Sequence, residues 1–117
     1  MQINEIEMGG LKPIEGYGPG FFRVGGDVIE GPILVTPDGA KAWGGLSDRA
    51  AILTLVGEID VILFGMGAEI ALLPTDFRNE IEATGMGAEV MSTSAGCRTW
   101  NILAAEGRRV VLAALPV

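Results

Sequence analysis

The sequence predicts an α/β fold in which a β-rich N-terminal part precedes a βαβαβ part. In the first third of the chain, short strand-like segments alternate with turns that contain Gly or Pro, whereas helical spacing of apolar residues begins only after Ser47. Residues 61–64 form a continuous apolar run, which is typical of a strand covered on both faces. We therefore expect a buried sheet with helices packed on it and with the N-terminal hairpins attached.

The N-terminal segments are predicted to be strands joined by tight turns. Strand-forming residues occupy four short segments, at 21–24, 28–31, 32–35 and 40–43. A turn is expected at 17–20, and another at 25–27, because both stretches are rich in Gly. Residues 36–39 should close a hairpin, since Pro37 presets φ and Gly39 accepts a positive φ.

The rest of the chain alternates helices and strands. Three segments have helical spacing and a glycine stop: one capped by Ser47 and stopped by Gly57, one over about 75–84, and one capped by Ser92, Thr93 or Ser94 and running to Glu106. Strands are predicted at 61–64, 88–91 and 109–115. The crossover between the first two should make them parallel. We expect one domain over residues 1–117 and one core, made of 61–64, Val90, Ile102, Leu103, Val111 and Leu112.

Composition and charge argue against some classes of function. The formal net charge of −7 and the lack of a basic stripe argue against nucleic-acid binding. No apolar run approaches the roughly 20 residues of a membrane span, and the acidic N-terminus lacks the basic and apolar blocks of a signal peptide. We therefore expect an acidic, soluble, cytoplasmic protein without a membrane span.

The chain contains no histidine and a single cysteine. A Ser-His-Asp triad or a Cys-His pair cannot be built without histidine, and a zinc site is nearly excluded. We therefore predict no catalytic residue, no metal site and no cofactor. Whether the protein is an enzyme stays undecided, with the balance against it.

Cys97 lies near the start of the third predicted helix, where a thiol can have a lowered pKa and become reactive. Its neighbours Ala95 and Gly96 are small, which indicates close packing of this helix on the sheet and a structural role for the cysteine. We interpret Cys97 as a structural residue. A reactive thiol is the weaker alternative.

A candidate binding or interaction surface comprises Gly65, Gly67, Thr93, Arg98 and Asn101. The two glycines follow a buried strand, but Ile70 stands where a dinucleotide-binding turn needs a third small residue. Arg98 and Asn101 interrupt an otherwise apolar helix. The asparagine either bonds neighbouring backbone, such as the glycine-rich loop after residue 64, or lines a polar rim.

Several blocks of the chain resemble a known family. The matching residues lie at 16–24, at the Pro37 turn with Trp43, at 63–67, at 90–93, at Ala95, and at 97–101 and 103–110. The chain resembles the small domain of unknown function (the MTH-type domain) of the adipogenesis-associated domain-containing protein and mitochondrial complex I assembly factor 3. It departs from the usual pattern at Trp100, where Tyr is common, and at Ser92, where Asp is common.

The resemblance implies a three-layer β+α/β/α fold. A central mixed five-stranded sheet is expected, with helices on one side and an N-terminal β-ribbon plus a helix on the other. The resemblance implies no established catalytic residue. The mitochondrial member of the family is an assembly factor, which implies a role in protein–protein interaction.

The leading hypothesis is a non-enzymatic protein-interaction or assembly module with a protein partner. The alternative is a protein or enzyme that binds a small molecule such as an anion, in a pocket at the carboxyl ends of the strands, where Gly65, Gly67 and Thr93 should converge. A thiol redox sensor that uses Cys97 is weaker. Self-association is left open.

Overall fold

The computed structural model describes residues 12–69 and 71–117. The elements follow along the chain as β1 (Ile14–Gly18), β2 (Phe21–Val24), β3 (Asp27–Glu30), β4 (Ile33–Thr36), β5 (Gly39–Ala42), α1 (Arg49–Leu53), β6 (Val61–Met66), α2 (Thr75–Ala83), β7 (Gly87–Met91), α3 (Thr93–Ala105) and β8 (Val110–Leu115). The predicted order of strands and helices is thus confirmed from residue 21 onward.

A five-stranded mixed sheet in the order β5-β4-β8-β6-β7 forms the centre of the fold. Strand β6 pairs in parallel with β7, as the crossover predicts, and also with β8, whereas β4 is antiparallel to both β5 and β8. Strands β1, β2 and β3 form a separate antiparallel ribbon. The predicted α/β class with a five-stranded sheet and an N-terminal ribbon is therefore confirmed.

The central sheet separates two hydrophobic cores. Helices α1 and α2 cover one face, where Ile52, Phe77 and Ile81 pack with Phe64. Helix α3 and the ribbon cover the other face. The large buried side chains there are Trp100, Phe22, Ile33, Leu63 and Leu112. The fold therefore has three layers, with the ribbon sharing its layer with α3.

The expectation of one shared core is wrong. Successive side chains of a strand point to opposite faces, so Ile62 and Phe64 face α1 and α2 while Leu63 faces α3. Ile102, expected in the core, is 52% exposed. Leu103 is only partly buried, and it packs against the core that contains Trp100. The main core residue of α3 is Trp100.

Both tryptophans are buried and have the indole partners that their burial requires. Trp100 is fully buried, and its Nε1 donates to the Val110 carbonyl at 3.1 Å. Trp43 donates to the Asp48 carbonyl at 3.1 Å. Phe64 lies between Trp43 and Phe77, with ring centroids 6.4 and 5.8 Å away.

One local prediction at the N-terminal side needs correction and another is confirmed. Tyr17 and Gly18 belong to strand β1 rather than to a turn, because they pair with β2 and leave only Pro19 and Gly20 as the connection. The hairpin at 36–39 is confirmed by the pairing of Thr36 with Gly39.

The first helix begins later and ends earlier than predicted, since it ends at Leu53 rather than at Gly57. Its N-cap is Asp48 rather than Ser47, and no side chain caps it. The Asp48 carboxylate instead accepts the Gly44 N–H at 3.3 Å, so this side chain closes the preceding loop.

Arg49 connects α1 to α2. Its Nη1 lies 2.8 Å from Asp76 Oδ2 and 3.0 Å from Glu80 Oε1, and its guanidinium lies over the Phe77 ring at 4.8 Å. The hydrogen bond from Arg49 holds the pKa of Asp76 below its usual value. The positive charge of Arg49 therefore compensates two of the acidic residues of α2.

Candidate functional site

Gly65 lies inside strand β6, which continues to Met66, so the expectation that the strand ends before Gly65 is wrong. A Cβ at Gly65 would lie 3.0 Å from Thr93 Cα and 3.2 Å from Ala114 Cβ. Gly96 is crowded in the same way, since a Cβ added there would lie 2.9 Å from Leu112 Cδ1. The two glycines therefore allow the first turn of α3 to approach the sheet closely.

Thr93, the first residue of α3, lies against the carboxyl end of β6. It is fully buried, and its Oγ1 donates to the Leu115 carbonyl at 2.6 Å and accepts the Gly67 N–H at 2.9 Å. Its backbone N–H also donates to the Gly67 carbonyl at 2.8 Å. Gly65, Gly67 and Thr93 thus meet at the strand ends, where Thr93 fills the space between them.

Helix α3 begins at Thr93, and its N-cap is Ser92, one of the three residues expected to cap it. The Ser92 hydroxyl accepts the Ala95 N–H at 3.3 Å. This is the bond that a serine cap normally makes to an otherwise unpaired amide of the first turn.

Asn101 holds strand β1 against α3. Its Oδ1 accepts the Ile14 N–H at 2.9 Å and its Nδ2 donates to the Ile14 carbonyl at 2.9 Å. The interpretation that this asparagine bonds backbone is therefore the right one, but its partner is Ile14 rather than the loop after residue 64. Nothing near Asn101 in the sequence identifies Ile14, because 87 positions separate them.

A small cleft of about 210 Å³ opens between α3 and β1. We name it the α3–β1 cleft; it is lined by residues 14–17 of β1 and by Ser94, Cys97, Arg98 and Asn101 of α3. Arg98 and Tyr17 are exposed at its edge. The structure thus separates the predicted surface into two parts, since Gly65, Gly67 and Thr93 form an internal junction outside this cleft.

Cys97 lies at the inner side of the α3–β1 cleft and is 4% exposed. Burial raises the pKa of its thiol to about 11, and the nearby charge of Arg98 offsets this only in part. A thiol reacts as its thiolate. The geometry therefore supports the structural role over the redox sensor.

We expect Cys97 to be labelled slowly in the folded protein. Because its pKa is raised from 9.0 to about 11, its thiolate fraction near neutral pH should be about a hundredfold below that of an unperturbed thiol. A thiol reagent should therefore react at least that much more slowly before denaturation than after it. The folded-state rate should rise with pH until about 11. Rapid stoichiometric labelling at neutral pH would restore the redox sensor.

Over residues 12–69 and 71–117, no helix combines the length and apolarity needed to cross a membrane. Over the same residues, no group of three or more Cys, Asp and Glu side chains is arranged to hold a metal ion.

A protein-family model described as a protein of unknown function (DUF498/DUF598) matches residues 14–115. The chain belongs to the DUF498 family. An uncharacterized protein of Rhodobacter capsulatus is 47% identical to this DUF498 chain over 117 residues, which is 100% of the chain and 94% of the relative. The NADH dehydrogenase [ubiquinone] 1 alpha subcomplex assembly factor 3 of Danio rerio is 30% identical, over 99% of the chain and 71% of the relative.

Solved structures show the same DUF498 fold. A Bartonella henselae protein called an outer membrane protein is 32% identical with a TM-score of 0.84, covering 92% of this chain and 97% of that one. A Mth938-like domain of Bordetella pertussis is 27% identical with a TM-score of 0.79, covering 99% and 92%. The resemblance to complex I assembly factor 3 and to the MTH-type domain is therefore confirmed.

Proposed function

We propose that this DUF498 protein is a non-enzymatic interaction module that takes part in the assembly of a larger protein complex. The Danio rerio relative, an assembly factor, supports this class of function. We also propose that it acts in the cytoplasm, since a single buried cysteine suits a reducing compartment. Cell fractionation tests the location.

The observation that carries the proposal is the pair of exposed side chains at the α3–β1 cleft. Arg98 offers a guanidinium with five N–H donors, and the partly exposed ring of Tyr17 lies on the facing strand. Arg and Tyr are, with Trp, the residue types enriched among the side chains that dominate binding energy at protein interfaces. A carboxylate of a partner would suit Arg98 because the two can form paired hydrogen bonds.

The floor of the cleft is held in place before any partner arrives. The double hydrogen bond from Asn101 to Ile14 fixes β1 against α3 on one side of Cys97. A binding site that is already ordered loses less conformational entropy when a partner docks. Asn101 therefore acts as a positioning residue in this proposal, whereas Arg98 would touch the partner.

The size of the α3–β1 cleft favours a protein partner over a metabolite. Small-molecule pockets usually enclose about 300–1,000 Å³, whereas this cleft has about 210 Å³, enough for one inserted side chain. At the strand ends, where the alternative needs a pocket, the buried Thr93 bonds to Gly67 and Leu115 instead. We therefore propose no second function.

Replacing Arg98 by alanine should weaken partner capture without unfolding the domain. Arg98 is exposed, and surface substitutions usually change stability by no more than about 0.5 kcal/mol. Removal of an interface arginine that carries much of the binding energy should weaken the complex by about tenfold or more. Tyr17→Ala should act in the same direction.

The test compares tagged wild type, Arg98→Ala and Tyr17→Ala in the source cells by quantitative mass spectrometry, followed by calorimetry with the purified partner. Arg23→Ala is the matched control, because Arg23 is exposed on β2 outside the cleft. If Arg98→Ala unfolds the domain, the residue is structural and the binding claim fails. If the purified protein turns over a substrate and Arg98→Ala abolishes that turnover, the enzyme alternative is correct.

A further inference from the structure

Strand β7 forms one end of the five-stranded sheet, and within the described parts of the chain no strand pairs with its outer side. The Gly87 N–H donates to the Asp60 carbonyl at 2.9 Å, so the backbone of Gly87 faces β6. Backbone groups alternate sides along a strand, and those of Ala88 and Val90 therefore face outward. Arg78 Nη1 donates to the outward Ala88 carbonyl at 2.9 Å. The backbone of Val90 is left facing the open edge.

An apolar cleft lies directly beside this edge. It has a volume of about 340 Å³, and Leu72, Leu73 and Val90 contribute its apolar wall. Leu72 is 94% exposed, although it is a large hydrophobic residue. An aliphatic side chain that entered from the β7 edge would cover both Leu72 and Val90.

The side chains around the β7 edge are mainly acidic. Helix α2 and strand β7 together carry four acidic residues, namely Asp76, Glu80, Glu82 and Glu89, and one basic residue, Arg78. Arg49 compensates Asp76 and Glu80, and Arg78 lies 3.4 Å from Glu82. Among the described residues Glu89 has no ion-pair partner and is exposed on β7. A basic side chain opposite it would therefore be favoured.

The same residue disfavours a second copy of this chain. If two β7 strands paired antiparallel over their full length, Gly87–Met91, the pairing would be centred on Glu89 and would place the two carboxylates opposite each other. Like charges directly opposite across a strand pair are destabilising. Charged residues on an edge strand are a common protection against pairing between identical copies.

We propose that β7 accepts an extended segment of a partner protein in which basic and aliphatic residues alternate. The segment adds a sixth strand through the backbone of Val90. Because successive side chains point to opposite faces, an aliphatic residue opposite Val90 enters the cleft beside Leu72 while its basic neighbour lies opposite Glu89. None of these residues lines the α3–β1 cleft, so the inference goes beyond the function proposed above and does not depend on it.

The test uses a synthetic heptapeptide of alternating lysine and valine with the full chain at low ionic strength. We expect saturable binding, amide NMR shifts confined to β7 and residues 71–78, and slowed hydrogen exchange at Val90. Glu89→Lys should weaken binding about tenfold, since it turns an attractive cross-strand pair into a repulsive one. Leu72→Ser should also weaken it. Both positions are exposed, so neither variant should compromise folding.

Two matched controls separate strand addition from general attraction to an acidic protein. Glu30→Lys changes the same charge on the exposed strand β3 and should leave binding unchanged. A peptide N-methylated on every residue keeps its charge but has no backbone N–H to donate to β7 on either edge, and it should not bind. Any of four results would overturn the proposal. The methylated peptide could bind equally well, Glu89→Lys could leave binding unchanged, the amide shifts could fall at the α3–β1 cleft, or the unmodified peptide could fail to bind. Wild-type dimers in sedimentation, with amide protection at Val90 that rises with protein concentration, would overturn it in favour of a second copy.

Discussion

Replacing Trp100 by alanine is expected to lower the free energy of unfolding by about 3–5 kcal/mol, the usual cost of truncating a buried aromatic residue. Trp100 is the largest fully buried side chain, and it fills the space between α3, the ribbon and the sheet. The change would also leave the Val110 carbonyl without the indole N–H that it accepts at 3.1 Å. Denaturant unfolding followed by circular dichroism measures the effect.

Ile102→Ala is the matched control on the same helix. The sequence places Ile102 in the core, but the structure leaves it 52% exposed, and its truncation should cost less than about 1 kcal/mol. Leu103→Ala, for which full burial would imply about 2–5 kcal/mol, should fall between the two because Leu103 is partly buried. A larger loss from Ile102→Ala than from Trp100→Ala would mean that α3 packs through its other face.

Thr93→Val should destabilise the domain by about 2–4 kcal/mol, although valine has nearly the same shape. The hydroxyl satisfies the Leu115 carbonyl at 2.6 Å and the Gly67 N–H at 2.9 Å, and both would lose a buried partner. Each unsatisfied buried group costs about 1–3 kcal/mol. Denaturant unfolding gives the loss of stability.

Thr93→Ser is the control that isolates the hydroxyl. It keeps both hydrogen bonds and removes one methyl group, which should cost roughly 1 kcal/mol. If Thr93→Ser destabilises as much as Thr93→Val, the contribution comes from packing against Gly65 rather than from the two hydrogen bonds.

Much of the secondary structure could be predicted from local patterns. The Pro37 turn, the apolar run at 61–64 and the glycines that follow the second and third helices depend on a few adjacent residues, and the structure has them as expected. Strand β1 was not predicted because Gly16 and Gly18 interrupt the alternation of apolar and polar residues that marks a strand. It forms a strand only by pairing with β2, and Asn101 ties it to α3.

The candidate site was predictable only in part. The sequence pointed to Arg98 and Asn101 because polar residues are unexpected in an apolar helix, and to Thr93 because the helix should begin near it at the strand ends. The structure gives the three residues different positions. Thr93 and Asn101 bond backbone segments that lie 22 and 87 positions away, whereas Arg98 stays exposed. Helical spacing reports which residues share a face, but it does not report what the rest of the chain places against that face.

The sequence by itself determined the fold class, the family and most helices and strands, because turn chemistry and hydrophobic periodicity act between near neighbours. Only the tertiary structure decided which residues are buried and which remain available. The central sheet divides the apolar residues between two cores, the ribbon closes over Trp100, and β7 remains at an open edge beside Leu72. These outcomes depend on contacts between residues far apart in the chain, whose pairing no local pattern encodes.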